Sequence, residues 1–118
     1  MRVKDSIGAY GEQVAAEHLV RAGFVVVERN WRCDIGEVDI VAMDGPTVVV
    51  CEVKTRSGLG FGSGLEAVTR QKLARLHRLA ARWLAENGAR GTAVRVDVVA
   101  VHRRRVGPPV VVHVRGAQ

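Results

Sequence analysis

Asp39, Glu52 and Lys54 are the residues whose types and spacing point to chemistry. In extended backbone successive side chains alternate between faces, so Val48, Val50, Glu52 and Lys54 share one side and Val49, Cys51 and Val53 the other. In the preceding apolar run Glu37, Asp39 and Val41 share a face, and a two- or four-residue turn at Asp44-Gly45-Pro46 puts Asp39 on the same side as Glu52. A three-residue turn would separate them. In the favoured registers the two carboxylates stand opposite or one diagonal step apart, with Cα atoms roughly 4.5–8 Å apart. Charges that close repel, so either one carboxyl has a raised pKa or a divalent cation sits between them. Lys54 offsets only part of that charge. A hairpin with a solvated polar face would show the same alternation. Against it stands the Val48-Val49-Val50-Cys51 run, which reads as a buried central strand into which Glu52 and Lys54 intrude.

The elements that must position these residues follow from periodicity and turn chemistry. Ile7, Gly11, Val14, Ala15, His18, Leu19 and Ala22 recur at the spacing of an amphipathic helix, with Asp5 or Ser6 able to cap its start and Gly23 placed to end it. Phe24 to Glu28 reads as a strand and Arg29-Asn30-Trp31-Arg32 as a polar bend. Residues 37–43 and 47–54 should form an antiparallel hairpin about the Asp44-Gly45-Pro46 turn. Ser57 to Gly64, with glycine at 58, 60, 62 and 64, reads as a loop; it has neither a Walker ending nor a GxGxxG spacing. Leu65 to Asn87 is a long helix with Leu73, Leu76, Leu79, Ala80, Trp83 and Leu84 on one face and Gly88 as its stop. A strand at Ala93–Val101, a basic turn at Arg103–Pro109 and a short strand at Val110–Val114 complete an α-β-β-β-α-β-β order, an α/β class.

With 118 residues, 47% hydrophobic and 25% charged, the chain suits one domain spanning 1–118 and excludes disordered and collagen-like classes. Glu28, Glu52 and Arg95 interrupt the valine-rich stretches, so no membrane span is expected, and the N-terminus lacks a signal-peptide apolar region. A cytoplasmic location is expected, with Cys33 and Cys51 as unpaired thiols. Charge is segregated: residues 1–60 carry seven Lys and Arg against nine Asp and Glu, and residues 61–118 eleven against three. An acidic cluster for a cation beside a basic half for phosphates is the division expected of an enzyme acting on nucleic acid. Gln71, Arg75, Arg78 and Arg82 fall in one narrow helical arc with no acidic neighbour on it, either a phosphate track or an ordinary solvated face. Arg29, Arg32 and Arg56 lie closer in sequence to the carboxylates and are the better candidates for nucleic-acid contacts near the site. Glu12 sits at the edge of the first helix's apolar face, placed to reach the sheet or to stay solvated. His18, His77, His102 and His113 show no metal-ligand spacing and read as structural or surface residues.

Gly36-Glu37-Val38-Asp39-Ile40-Val41-Ala42, followed thirteen residues after Asp39 by Glu52-Val53-Lys54, resembles the PD-(D/E)xK nuclease signature of restriction-endonuclease-like folds. Gly8-Ala9-Tyr10-Gly11-Glu12, Arg29-Asn30-Trp31-Arg32, the two strand motifs, Phe61-Gly62, Glu66-Ala67-Val68 and Val96 to Val101 resemble, in order and over almost the whole chain, the YraN-like family of small bacterial proteins. The resemblance implies a restriction-endonuclease-like core, similar to archaeal Holliday-junction resolvases, with a mixed sheet whose central hairpin is flanked by two helices. It makes Asp39 and Glu52 metal-binding carboxylates for Mg²⁺ or Mn²⁺, Lys54 the residue that orients or activates the attacking water, and Glu12 the acidic residue of the first helix. Val38 stands where the wider signature has proline. The expected function is a metal-dependent nuclease acting on DNA, at branched or damaged structures. The alternatives are a noncatalytic nucleic-acid-binding module and a protein-interaction scaffold. A homodimer is implied only by the likeness to resolvases.

Overall fold

The computed structural model describes residues 6–57 and 68–118. The elements run α1 (Ser6–Arg21), β1 (Val25–Arg32), β2 (Glu37–Asp44), β3 (Thr47–Ser57), α2 (Arg70–Glu86), β4 (Val94–Arg103) and β5 (Val110–Val114), the order expected from the sequence. They form one five-stranded sheet in the order β1-β2-β3-β4-β5. It is mixed: β3 and β4 are parallel, joined across α2, and every other neighbouring pair is antiparallel.

The central hairpin closes through two residues, Gly45 and Pro46, between the paired Asp44 and Thr47. Gly45, at φ 58°, takes the first central position, where a two-residue hairpin turn requires the left-handed region. Strand alternation then feeds two cores. Val41, Val48, Val50 and Val96 pack against Leu73, Leu76, Leu79, Ala80, Trp83 and Leu84 of α2. Ile40, Ala42, Val49, Cys51, Val99 and Val101 pack against Ala15, Ala16 and Leu19 of α1. The sheet is thus covered on both faces, and the continuous valine runs follow from that. Gly11 lets α1 approach β3 closely, since a Cβ there would overlap the Thr55 side chain.

Three expectations require correction. Arg29–Arg32 is not a bend: β1 runs on to Arg32, with a register shift between Val26 and Glu28. An extra residue in an edge strand accommodates polar side chains without ending the pairing. The second helix begins at Arg70 rather than Leu65, because the Thr69 side chain accepts the Lys72 backbone N–H at 3.0 Å and closes the first turn. Residues 65–67 lie outside the described residues, as do Asp5, the Phe61-Gly62 and Glu66 motifs and most of the glycine-rich segment. Strands β3 and β4 also extend beyond their expected ends, to Ser57 and Arg103.

At the end of α2 the Trp83 indole N–H donates to Glu28 at 3.0 Å, fixing the helix over β1. No described helix is long and apolar enough to cross a membrane.

Candidate active site

The two-residue turn settles the register on which the site depends. The β2–β3 ladder is paired from Asp44 and Thr47 to Ile40 and Cys51, which brings Asp39 beside Glu52. Beyond that point the Val53 N–H bonds to the Asp39 carboxylate at 2.8 Å. Asp39 is buried and fixed by a backbone donor in the central strand, an anchoring that a solvated hairpin face would not supply. Glu52 and Lys54 emerge on the same side, where β3 passes beneath the first two turns of α2. A cleft of about 410 Å³ opens there, with Glu37, Asp39, Glu52, Lys54, Lys72 and Arg75 as its polar lining and Leu76 and Leu79 as its apolar wall.

Charge in this cleft is tightly balanced. Burial pushes the Glu52 carboxyl above the usual range, and the adjacent Asp39 carboxylate, within hydrogen-bonding reach, pushes it the same way. Lys72 opposes them, its Nζ 2.7 Å from Glu52 Oε2. Lys54 Nζ lies 3.9 Å from the same oxygen. Burial lowers the Lys54 pKa and the neighbouring Lys72 lowers it further. Lys72 is raised: burial works against its charge, but Glu52 and Asp39 outweigh it. Two carboxylates and two ammonium groups therefore share one concave, partly desolvated space, the arrangement in which functional groups with perturbed protonation are found.

The sequence pattern does not single out Lys72. It lies beside Leu73 at the margin of the apolar stripe and one turn before Leu76, a position easily read as a cationic fringe on a packed helix. The signal available was its helical spacing to Arg75, which also lines the cleft.

Other expected site residues divide. Glu12 is buried, but its carboxylate is held by Asn30 at 2.8 Å and Arg29 at 3.2 Å, and it does not line the cleft. Arg29 also donates to Gln13. Arg32 stands 4.0 Å from Glu37. Arg56 is exposed two residues beyond Lys54, on its face of β3. Gln71 and Arg78 are exposed on α2. Arg82 does have acidic neighbours, contrary to expectation: it pairs with Asp34 at 2.8 Å and with Glu86 at 2.7 Å. Glu86 is one turn along the same helix, and Asp34 comes from the β1–β2 connection. Among the described residues no group of three or more His, Cys, Asp or Glu side chains gathers into a metal-holding cluster. Any cation in the cleft would therefore take Asp39 and Glu52 and complete its shell from water or substrate.

The model of a family described as an uncharacterised protein family, UPF0102, matches residues 11–101. A UPF0102 protein of Beutenbergia cavernae is 64% identical over 98% of both chains. One from Frankia alni is 56% identical over 99% of this chain and 98% of its own, and one from Frankia casuarinae is 54% identical over 99% of each.

Proposed function

The chain belongs to the uncharacterised protein family UPF0102, and from the cleft it carries we propose that it is a metal-dependent nuclease, a hydrolase of phosphodiester bonds in nucleic acid. One observation carries this reading: the carboxylates of buried Asp39 and half-buried Glu52 stand side by side on the floor of a cleft, under cationic side chains from both the sheet and α2.

The donor set fits a hard divalent cation. Carboxylate oxygens suit Mg²⁺ or Mn²⁺; burial and, after it, the neighbouring Asp39 raise the Glu52 pKa, and such a cation would offset both. When bound, the cation supplies Lewis acidity at the phosphoryl oxygen and makes a water molecule more acidic. The protein's own residues do the rest. Asp39, anchored by the Val53 N–H, and Glu52 would hold the cation through their carboxylates and accept hydrogen bonds from the attacking water. Lys54 lies beside Glu52 and offsets the negative charge that grows on the phosphoryl group. Arg75 on the cleft wall offers a guanidinium fork to a non-bridging phosphate oxygen. Water oxygen bonds to phosphorus, the P–O bond to the leaving sugar breaks, and the proton released by water restores the leaving alkoxide to a hydroxyl. DNA is the proposed substrate, consistent with the basic second half of the chain.

A second reading, a noncatalytic nucleic-acid-binding module, draws on the 2.7 Å Lys72–Glu52 pair, which neutralises one carboxylate with no divalent ion. A cleavage assay on duplex, single-stranded and four-way DNA with Mg²⁺, Mn²⁺ or EDTA decides between them. The nuclease reading expects products only with metal, abolished by Asp39→Asn. Wild type that binds DNA yet is inert on every substrate and metal leaves only the binding module.

A further inference from the structure

In formal charge the lining of the cleft is balanced. Among the described residues it carries three carboxylates, Glu37, Asp39 and Glu52, and three cations, Lys54, Lys72 and Arg75. A divalent cation arriving alone would upset that balance and would find an ammonium group already 2.7 Å from the Glu52 oxygen it has to use. A phosphodiester arriving alone would meet the two carboxylates of the floor. Arriving together, each supplies the opposite charge that the other lacks, in a partly desolvated space where such charges interact strongly.

The groups around Glu52 differ in their freedom to move. Asp39 is fixed by the Val53 N–H at 2.8 Å. Lys54 rises from β3 where that strand is paired with β4, and its Nζ stands 3.9 Å from Glu52 Oε2. Lys72 is different: it stands on the first turn of α2, keeps 26% of its side chain open to solvent, and reaches Glu52 by a flexible four-carbon stem. Arg75 follows three residues later, so the two are neighbours on the helix surface, and both line the cleft. A phosphate oxygen set against Arg75 therefore lies within the sweep of the Lys72 ammonium group.

We infer that Lys72 is an exchangeable counter-ion: it holds Glu52 in the resting protein, then moves beside Arg75 onto the substrate phosphate and gives Glu52 up to the divalent cation. Parting the Lys72–Glu52 pair costs free energy once. Whichever ligand binds first spares the second that cost, so nucleic acid and metal load the cleft cooperatively. By linkage, each raises the affinity for the other by the same factor. A purely structural ion pair would leave Lys72 on Glu52 and give no such coupling. The inference rests on the reading of the cleft as a metal-dependent nucleic-acid site and deepens it by stating how that site is loaded.

The test reads binding and not turnover. Anisotropy of a labelled duplex with a phosphorothioate backbone, which resists hydrolysis, is measured in EDTA and in Mn²⁺ at matched ionic strength. Asp39→Asn is the reference, since it keeps any effect of Mn²⁺ on the DNA itself and loses a metal-binding carboxylate. Relative to it, Mn²⁺ is expected to tighten DNA binding by wild type by about 5- to 150-fold, the usual span of coupling between two sites. Lys72→Met keeps the reach of the stem without its charge. It is expected to lose most of that gain and, in calorimetry without DNA, to bind Mn²⁺ more tightly than wild type. Lys72→Arg, which restores a cation, is expected to recover the coupling. Equal coupling in wild type and Lys72→Met, or weaker Mn²⁺ binding by Lys72→Met in the absence of DNA, overturns the exchange. Wild type that binds both Mn²⁺ and DNA with no coupling faults the exchange alone, whereas wild type that binds neither overturns the cleft reading and the exchange with it.

Discussion

Lys54 and Lys72 approach the same Glu52 oxygen, yet they have different tasks. Lys54 comes from the strand and shares the face of the carboxylates by backbone alternation alone. If it serves the transition state, Lys54→Ala should leave affinity for uncut DNA nearly intact and lower the cleavage rate by about 10²–10³-fold, which a comparison of single-turnover rates with equilibrium binding will read. Equal losses in both would make it an ordinary phosphate contact. Lys72 comes from the helix and stands 2.7 Å from Glu52, where it balances the charge that a divalent cation would otherwise balance. Lys72→Ala should therefore destabilise the metal-free protein and enlarge the rise in melting temperature that Mn²⁺ produces, because a ligand that binds only the folded state stabilises it in proportion to its affinity. A smaller rise than in wild type would mean that Lys72 supports the metal site instead of competing with it. Of this group Asp39, Glu52 and Lys54 were legible in the sequence, since a two-residue turn and a period of two suffice to bring them together. Lys72 was not, because its role depends on how α2 is rotated over the sheet. The neutralisation of Arg82 was only half visible: Glu86 stands at i+4, but Asp34 arrives from a connection that helical periodicity cannot place.

At the scale of elements, the site is built where two helices press on opposite faces of one strand. Lys54 faces α2 while its neighbour Thr55 meets α1, and Gly11 is what lets that helix come so close. Gly11→Ala should lower stability by about 1–3 kcal/mol, as overpacking does, measured by denaturant unfolding. Thr55→Ala should restore part of the loss by removing the atoms nearest the added methyl; a double variant no more stable than Gly11→Ala would place the strain elsewhere. The central hairpin and α2's apolar stripe were readable because their periods, 2 and 3.6, persist over many residues. The ends were harder. Arg29–Arg32 looks like a bend because an edge strand needs no apolar alternation on its open side, and the register shift after Val26 carries the pairing past it. The start of α2 was decided by one side chain, Thr69, among several residues able to enter a helix. Glu12 was undecidable from its own helix, since its partners Arg29 and Asn30 belong to the strand extension that the sequence concealed.

Across the whole molecule, the acidic and basic halves of the chain meet because the parallel β3–β4 pairing sets one beside the other, and a second buried charge cluster ties the chain's end to that sheet. Asp97 of β4 is fully buried on the α1 face, opposite the cleft. It accepts from Arg95 at 2.8 Å, from the Gly116 N–H at 3.0 Å, and interacts with His113 Nε2 at 2.8 Å. His113 in turn meets His18 of α1 at 3.2 Å, and Arg95 reaches Asp44 beside the hairpin turn at 2.9 Å. One carboxylate thus links α1, the hairpin, β5 and the C-terminal residues, pairing positions as far apart as 18 and 113 that no local pattern associates. Burial alone would raise the Asp97 pKa, but the bonds from His113, Arg95 and Gly116 outweigh it and hold the carboxyl well below the usual carboxylate range. The sign follows from linkage. A group whose folded pKa is depressed contributes its full stabilisation above its unfolded value, about 3.9 for Asp, and loses it as pH falls further towards the folded one. His18 adds an earlier loss: burial and the neighbouring His113 lower its pKa, so protonation favours the unfolded chain once pH drops below about 6.5. Melting temperature should therefore fall gently from pH 7 to 5 and steeply below pH 4. Asp97→Asn should be less stable at pH 7, because Arg95 loses the buried one of its two anionic partners and keeps only Asp44, and should show a flatter profile below pH 4. His18→Gln should remove the gentle phase and keep the steep one. Parallel profiles for wild type and Asp97→Asn would mean that other carboxylates carry the acid response and that the clasp on the C-terminal residues contributes packing without charge.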